Sequence, residues 1–412
     1  MNQHAKENVE VNVLAQPLKL ACGISIPNRI AKAGMSEQLA DRFGVPTTDL
    51  QQLYAVWARG GTGLLVTGNV MIDHRGLVEP RNVILENDQH LQSYRLWVKA
   101  VHANGGKIIM QINHPGRVAV LPLLKRPVAP SAVGLDLPAM NIIRIPKAMS
   151  EAEILEQIQR FAKTAKLAIQ AGFDGVQVHA AHGYLISQFL SPLANKRTDQ
   201  WGGTAENRRR ILIETVRAVR KEIGADRILS VKLNSADFQK GGLSQQESLE
   251  IALALEAEGI DLLEISGGNY ESPAQLGYAA DRQAQRDAYF IDYAKALRQQ
   301  SQLALMLTSG IRQNSTMQQL IAENTVDLIG MARPFAMQPD LAKQVLAGES
   351  VQAQTSVPSI GYKPVDAYLQ LAWHAMQFKR ISQGLNPKGS KGLIPTFLRF
   401  GPQMGLNILT QK

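Results

Sequence analysis

GVQVHAAHGYLISQFLSPLANKRTDQWGGTAENRRR, residues 175–210, is the stretch that decides the fold. It begins with a short β-branched run and continues with His179, His182, Tyr184 and a cluster of arginines. In a (β/α)8 barrel, the loops that leave the C-terminal ends of the strands form the active face. Residues three apart on a strand point to opposite sides, so the two histidines converge only where at least one has left the strand. The stretch therefore predicts a barrel strand followed by a functional loop.

The rest of the chain alternates short apolar runs with longer stretches of helical periodicity, as expected of repeated βα units. We predict strands at residues 29–36, 63–70, 107–113, 175–179, 228–234, 262–266, 304–309 and 327–332. Helices are predicted near residues 49–59, 88–103, 150–171, 204–223, 244–258, 287–299, 315–323 and 339–346. A doubly wound open sheet is the alternative. Eight evenly spaced units with polar residues after successive strands favour an α/β fold of the closed (β/α)8 TIM barrel type.

The predicted domain organisation is a TIM barrel over residues 1–350 and a basic, partly helical extension over residues 351–412. The extension carries seven Lys or Arg against one Asp, a net charge of +6, so the barrel carries only +3 of the total +9. One helical face of the extension is apolar and contains Tyr368, Leu371, Trp373, Ala372, Ala375, Met376 and Phe378. We favour a helix docked on the barrel or at a subunit contact. The alternative is an amphipathic anchor on an anionic membrane.

Composition narrows the class of protein. The single cysteine, Cys22, excludes an intramolecular disulfide and an iron–sulfur cluster held by four thiolates of this chain. No run of about 18 apolar residues appears, and the polar start lacks the regions of a secretory signal. The near-neutral barrel and the lack of a recognisable module argue against nucleic-acid binding. We therefore expect a cytoplasmic globular enzyme of open oligomeric state.

Small and basic residues follow the last two predicted strands, where these barrels commonly bind phosphate. Ser309 and Gly310 follow the seventh strand, and Ala332 and Arg333 follow the eighth. Glycine lets backbone N–H groups approach phosphate oxygens, and arginine binds them through two donors. A glycine after a strand is also a common simple turn. The position of both pairs in the barrel favours phosphate binding.

Two polar residues at strand positions could contact a bound cofactor. The amide of Gln111 both donates and accepts, which suits a pyrimidine edge, although a solvated strand end is the alternative. Lys232 lies inside a barrel strand, where a cation requires an anionic partner. That partner could be an anionic region of a bound cofactor. A structural ion pair with Glu264 is the alternative.

The two histidines admit three interpretations: structural residues, metal ligands, or donors to a substrate oxygen. A metal site would need further ligands at neighbouring strand ends, but those ends carry Gln111, Lys232 and two serines. We therefore predict no metal. As hydrogen-bond donors, the histidines would stabilise negative charge on a substrate carbonyl oxygen, and Tyr184 would supply a proton.

The stretch HAAHGYLISQFLSPLANKRTDQWGGTAENRRR, together with NRI at 28–30, QINHPGR at 111–117 and DLIGMARP at 327–334, resembles the old yellow enzyme family of FMN-dependent NAD(P)H:flavin oxidoreductases. The resemblance covers residues 16–345. It implies that the positions of His179 and His182 bind the activating oxygen of an α,β-unsaturated substrate and that Tyr184 protonates the carbon α to it. It also implies FMN contacts at Ala33, Gly34, Met35, Ser36, Gly68, Gln111, Lys232, Gly310, Ala332 and Arg333.

Three of these positions depart from the common family pattern. Ser36 stands where threonine or cysteine is usual, Gly34 replaces a frequent proline, and Lys232 replaces a frequent arginine. The resemblance implies reduction of an activated C=C bond by NADH or NADPH, with substrate selection in residues 121–146 and 269–286. The competing hypotheses are a metal-dependent barrel hydrolase or lyase and a non-catalytic module that binds through its basic tail.

Overall fold

The structure is a computed structural model that describes residues 12–118, 127–135, 145–271, 283–308, 310–351 and 363–388. In residues 283–289, 363–369 and 371, the description is limited to the helical backbone. Ser309, the side chains of Tyr368 and Leu371, and most of the two predicted substrate loops therefore lie outside the described residues.

Eight parallel strands form a closed barrel. They are β1 (Ile30–Lys32), β2 (Leu64–Val66), β3 (Lys107–Asn113), β4 (Gly175–Ala180), β5 (Ile228–Asn234), β6 (Leu262–Ser266), β7 (Leu305–Thr308) and β8 (Leu328–Met331). Each strand pairs with the next along the chain, and β8 pairs with β1, so the sheet has no open edge. The prediction of a TIM barrel is confirmed, and the open-sheet alternative is wrong.

The helices of the described chain follow the strands in the expected order. They are α1 (Thr48–Arg59), α2 (Leu91–His102), α3 (Glu151–Gln170), α4 (Leu185–Leu190), α5 (Ala205–Ile223), α6 (Gln245–Ala257), α7 (Gln283–Arg298), α8 (Asn314–Ala322), α9 (Leu341–Leu346) and α10 (Lys363–Ser382). Ser150, Thr204 and Ser244 accept the backbone N–H three residues on, and both serines form complete capping boxes. These side chains satisfy donors that a helix start leaves without partners, which fixes where α3, α5 and α6 begin.

The lower half of the barrel interior is apolar. A short antiparallel hairpin, Leu18–Lys19 paired with Ser25–Ile26, packs against the strand residues there. We call this set the floor layer; it contains Leu18, Leu20, Ile26, Ala31, Leu64, Val66, Ile109, Ile228, Leu262, Met306 and Leu328. All its members are buried, so the hairpin closes the N-terminal end of the barrel.

Helix α10, which belongs to the extension, packs against α1 and the turn Arg333–Ala336. Phe378 is fully buried and meets the ring of Trp57 edge to face at 5.3 Å. Lys379 forms an ion pair with Asp49 at the start of α1. The described part of the extension therefore adds a helix to the outer ring of the barrel. No helix within the described ranges has the length and apolar character needed to cross a membrane.

Candidate active site

His179, His182 and Tyr184 meet at the C-terminal end of β4. His179 is still on the strand, whereas His182 follows the strand end. The imidazole centroids are 5.1 Å apart, and the ring of Tyr184 lies 4.8 Å from that of His179. The expected convergence of the two histidines is observed, with one on the strand and one in the loop.

The backbone of His182 explains how the loop turns inward. Its φ of 62° lies in the left-handed region that non-glycine residues seldom adopt. The backbone N–H of His182 donates to Asn234 Oδ1 at 3.1 Å, and its ring Nε2 lies 2.7 Å from the hydroxyl of Ser266. Contacts with the ends of β5 and β6 therefore hold the imidazole in place. Strained backbone held by its surroundings is a common property of functional sites.

Both imidazoles are neutral at ordinary pH. Burial lowers the pKa of His179 well below its usual value, and the proximity of His182 and of the Lys232 charge acts in the same direction. Burial and Lys232 also lower the pKa of His182. The backbone N–H of Ala181 donates to His179 Nδ1 at 3.2 Å, so the single ring proton of His179 is on Nε2. This nitrogen is available as a donor to a ligand.

Tyr270, a residue that sequence reasoning did not single out, completes this group. Its hydroxyl lies 2.7 Å from that of Tyr184. Burial, followed by the contact with Tyr270, raises the pKa of Tyr184 well above its usual value, and burial raises the pKa of Tyr270 to about 12. Both phenols therefore retain their protons. The available signal was a tyrosine shortly after a predicted strand, which is weak alone.

Polar side chains occupy the barrel interior above the floor layer. Gln177 on β4 donates to Glu264 on β6 at 2.9 Å, and because these strands are not neighbours, the bond crosses the interior. We call this set the mouth layer; it contains Gln111, Gln177, Ser230, Lys232, Glu264 and Thr308. All but the partly exposed Thr308 are buried.

Within the mouth layer, two predicted cofactor residues have protein partners. Gln111 donates to Gln177 Oε1 at 2.8 Å, and Lys232 Nζ lies 2.8 Å from Glu264 Oε1. The ion pair considered as the structural alternative for Lys232 is therefore present. Its ammonium has three donors, so the pair leaves capacity for a further acceptor.

The loops after β1 and β2 carry the positions Ala33, Gly34, Met35, Ser36 and Gly68. A Cβ atom on Gly34 would lie 2.6 Å from Gln111 Nε2 and 2.9 Å from the backbone oxygen of Thr67, so a larger residue there would require a shift of this amide and of the backbone. A Cβ on Gly68 would collide with Glu37, whose Oε1 accepts the N–H of Gly68 at 2.9 Å.

Glu37 also pairs with the fully buried Lys32 at 3.3 Å. Lys32 in turn donates to Val66 O at 3.0 Å, which ties the two loops together. No sequence motif points to this pair, because neither residue belongs to a quoted motif.

Gly310, Ala332 and Arg333 lie together at the ends of the neighbouring strands β7 and β8. Ala332 precedes the helical turn Arg333–Ala336, and Phe335 N–H donates to its carbonyl oxygen at 3.1 Å. Trp57 Nε1 donates to Phe335 O at 3.0 Å and fixes the turn from behind. Gly310 and Arg333 each have further interactions.

A metal site at the histidine pair finds no support among the described residues. Among the described residues, the atoms that could together bind a metal ion belong to Asp73, His74 and Glu86, which follow β2 and not β4. Asp73 in that group is held by Arg75 at 2.6 Å and faces Arg160 at 3.5 Å. The two arginines therefore already neutralise the carboxylate of Asp73 that a metal cation would need as a ligand.

A barrel whose mouth combines neutral imidazoles, protonated phenols, a buried lysine and close-fitting glycines has the construction of a flavin oxidoreductase. The sequence profile of the NADH:flavin oxidoreductase / NADH oxidase family matches residues 13–352. The chain belongs to this family, whose members use FMN with NADH or NADPH.

Proteins with similar sequences are also named as flavin oxidoreductases. An NADH-dependent flavin oxidoreductase of Talaromyces variabilis is 32% identical over 407 residues, covering 90% of this chain and 98% of the relative. Another, from Aspergillus parasiticus, is 37% identical and covers 84% of this chain and 81% of the relative.

Two solved structures share the architecture. The old yellow enzyme homologue of Zymomonas mobilis superposes with a TM-score of 0.70 and 26% identity, over 84% of this chain and 97% of that one. A complex of 2-naphthoyl-CoA reductase with 2-naphthoyl-CoA gives 0.78 and 29%, over 89% of this chain. This chain spans 58% of the length of that reductase.

Proposed function

We propose that this protein reduces activated C=C bonds of α,β-unsaturated carbonyl-type substrates with NADH or NADPH, in two half-reactions that share one pocket. The observation that carries the proposal is the convergence of His179, His182 and Tyr184. Two neutral N–H donors and one protonated phenol, held on a strand end, suit an electrophilic alkene whose carbonyl oxygen becomes negative during reduction.

The loops after β1, β2, β7 and β8 would hold FMN, with contacts from Ala33, Gly34, Met35, Ser36 and Gly68 at one end and from Ser309, Gly310, Ala332 and Arg333 at the phosphate. When bound, FMN accepts hydride from the nicotinamide and transfers it to the substrate β carbon. Gln111 and Lys232 would contact the pyrimidine edge, where the lysine charge offsets developing negative charge.

The protein side of the reaction follows from the protonation states. His179 Nε2–H and a ring N–H of His182 bind the carbonyl oxygen and stabilise its growing charge. Tyr184 Oη donates its proton to the α carbon. The hydroxyl of Tyr270, 2.7 Å away, holds the phenol of Tyr184 in position for this transfer. Because burial disfavours the phenolate, Tyr184 stays protonated until a substrate with a basic α carbon is present.

The direct experiment uses the purified protein under anaerobic conditions. The visible spectrum should show bound flavin, NADH or NADPH should bleach it, and 2-cyclohexen-1-one should restore it with formation of cyclohexanone. Parallel lines in double-reciprocal plots would support the shared pocket. If the bleached protein is reoxidised by dioxygen but by no enone, the proposed substrate class is wrong.

A second, narrower proposal concerns the extension. We propose that its basic residues contact an anionic surface, either a membrane or a second subunit, while Trp373 and Phe378 remain packed on the barrel. Co-sedimentation with anionic vesicles, with and without residues 389–412, tests the membrane version. Equal and negligible binding by both would contradict it, and the sedimentation coefficient would test the subunit version.

A further inference from the structure

His374 lies on α10, outside the barrel sequence to which the family resemblance extends. Its side chain is buried, with 4% of the residue exposed. Its Nδ1 lies 2.6 Å from the backbone oxygen of Gln370, one turn earlier. Its Nε2 is buried without a hydrogen-bond partner. A buried polar atom without a partner is rare in folded proteins and requires an explanation.

The state of the imidazole follows from its one contact. A carbonyl oxygen can only accept, so Nδ1 carries the proton and donates it to Gln370. In the neutral ring, Nε2 is therefore an unprotonated nitrogen that could take up a proton. Burial, and to a smaller degree the charge of Arg333, lower the pKa of His374 to about 4, although the contact with Gln370 acts in the opposite direction. Without an anion nearby, Nε2 remains unprotonated.

The surroundings of His374 belong to the proposed phosphate end of the cofactor site. Helix α10 packs on the turn that starts at Arg333, and the charge of Arg333 contributes to the lowered pKa of His374. Trp57 links the same elements, because its ring contacts Phe378 on α10 while its Nε1 donates to Phe335 O in the turn. The C-terminal helix is thus attached to the segment that carries Arg333.

We propose that His374 is a ligand of the FMN phosphate, supplied by the C-terminal extension beside Arg333. The proposal rests on the proposed position of the phosphate at Arg333. A phosphate ester there would share one proton with Nε2. The proton either stays on the phosphate as P–OH or moves to Nε2, in which case the O–H bond breaks as the N–H bond forms, and the bonds to phosphorus do not change. The contact would satisfy the unpartnered nitrogen and pair it with an anion.

The position of the residue on the helix supports this role. Trp373 and Phe378 are also buried, and so is Gln377, whose Oε1 accepts the backbone N–H of Lys388 at 2.9 Å. Among the described side chains of α10, the buried polar atom without a partner is Nε2 of His374. The lost hydration of that imidazole must be offset by something, and the described residues provide a partner only for Nδ1. A helix required only for packing would be more stable with an apolar residue at this position.

Riboflavin, which lacks the phosphate, provides the test. Full-length protein freed of flavin is titrated with FMN and with riboflavin, and binding is followed by quenching of flavin fluorescence. His374→Phe fills the space without a polar nitrogen and should weaken FMN binding by about 10- to 100-fold. Its riboflavin affinity should stay unchanged. Equal weakening of both flavins would show a purely structural role and overturn the proposal.

Two matched substitutions exclude a folding artefact. The amide nitrogen of glutamine can reach the position of Nε2, so His374→Gln should retain much of the discrimination between FMN and riboflavin. His374→Asn places its amide nearer the position of Nδ1 and should behave like His374→Phe. If asparagine and glutamine have the same effect on FMN binding, Nε2 is not the contact atom. Circular dichroism confirms that each variant is folded.

Arg333→Gln separates this inference from the proposed cofactor position. Loss of FMN affinity in Arg333→Gln but not in His374→Phe would place the phosphate at Arg333 and reject His374. Unchanged FMN affinity in both variants would reject the phosphate position itself. Loss in both, with riboflavin binding retained, is the expected result.

Discussion

The floor layer and the mouth layer are built from the same strands but have opposite chemistry. On β3, Ile109 belongs to the floor and Gln111 to the mouth; on β6, Leu262 and Glu264 are related in the same way. Residues two apart on a strand point to the same side, so both members of each pair point into the barrel. The first packs in the apolar floor layer, and the second joins the hydrogen-bonded mouth layer. Burial of the apolar floor layer stabilises the barrel. Burial of the polar mouth layer costs part of that stability but places hydrogen-bonding groups where a ligand can contact them.

Lys232 shows the energetic side of this difference most clearly. The ion pair with Glu264 is almost fully buried, with 3% and 0% of the side chains exposed. A buried pair contributes little net stability, but removing one partner leaves a buried charge without compensation. Lys232→Met should therefore destabilise the fold by about 3–5 kcal/mol, measured by urea unfolding.

The control for Lys232→Met is the double variant with Glu264→Gln, which removes both charges. Its amide oxygen can still accept from Gln177, and its amide N–H can donate to the hydroxyl of Thr308. The double variant should recover most of the lost stability. If the single substitution costs less than about 1 kcal/mol, the pair is not the tightly coupled contact described, and the contrast between the layers is weaker.

Met306→Ala tests the floor layer. It removes a fully buried side chain, and the cavity should destabilise the protein by about 3 kcal/mol. The affinity for FMN should not change, because Met306 belongs to the apolar floor layer, below the polar groups of the mouth layer. Thr308→Val, two residues along β7, is the matched mouth variant and should cost about 1 kcal/mol through loss of its bond to Glu264. Loss of flavin from the Met306 variant alone would show that the layers are not separable.

Tyr184→Phe should have the opposite effect to Met306→Ala: it should lower the activity and leave the stability of the fold nearly unchanged. We expect the oxidative half-reaction to slow about 100-fold, with reduction of the flavin by NADH nearly unchanged, in stopped-flow measurements. Tyr293→Phe is the control, since it also removes a buried phenol hydroxyl, one that bonds Ser248 outside the candidate site. Equal slowing of both half-reactions would remove Tyr184 from the proton-donor role.

Asp174, at the N-terminal end of β4, gives the smallest expected effect. Burial acts to raise its pKa, but hydrogen bonds from His102 and the Ile108 N–H outweigh burial and lower it. Because the folded-state pKa is lower than the unfolded one, the carboxylate stabilises the fold above pH about 4, and this stability is lost as the pH falls through the folded value. Asp174→Asn should cost about 1.5 kcal/mol at pH 7 and progressively less below pH 4 in thermal unfolding. A constant difference across this range would contradict the assignment.

The strands could be predicted because short apolar runs alternate with helical periodicity along the chain, and the caps Ser150, Thr204 and Ser244 mark the starts of three helices. The Lys232–Glu264 pair could be named as one of two alternatives, since few acidic residues lie on the barrel strands. Tyr270 could not be found, because its role depends on a loop that folds back toward Tyr184 and leaves no periodic signal. The floor hairpin was missed for a related reason: strands of two residues are too short to show alternation.

The docking of α10 shows a further limit. Its apolar face was visible in the sequence, but an apolar face does not specify its partner, and membrane, subunit and barrel surfaces all remained open. The contact is set by the indole of Trp57, which meets Phe378, and by the pairing of Lys379 with Asp49 more than three hundred residues away.

The hairpin closes the N-terminal end of the described barrel, so its interior is accessible from the C-terminal end. A ligand that reaches the mouth layer must enter and leave through that same opening. Two ligands that occupy the same depth of the pocket would exclude each other. Slow dissociation of the first would then delay binding of the second, whatever the concentration of the second.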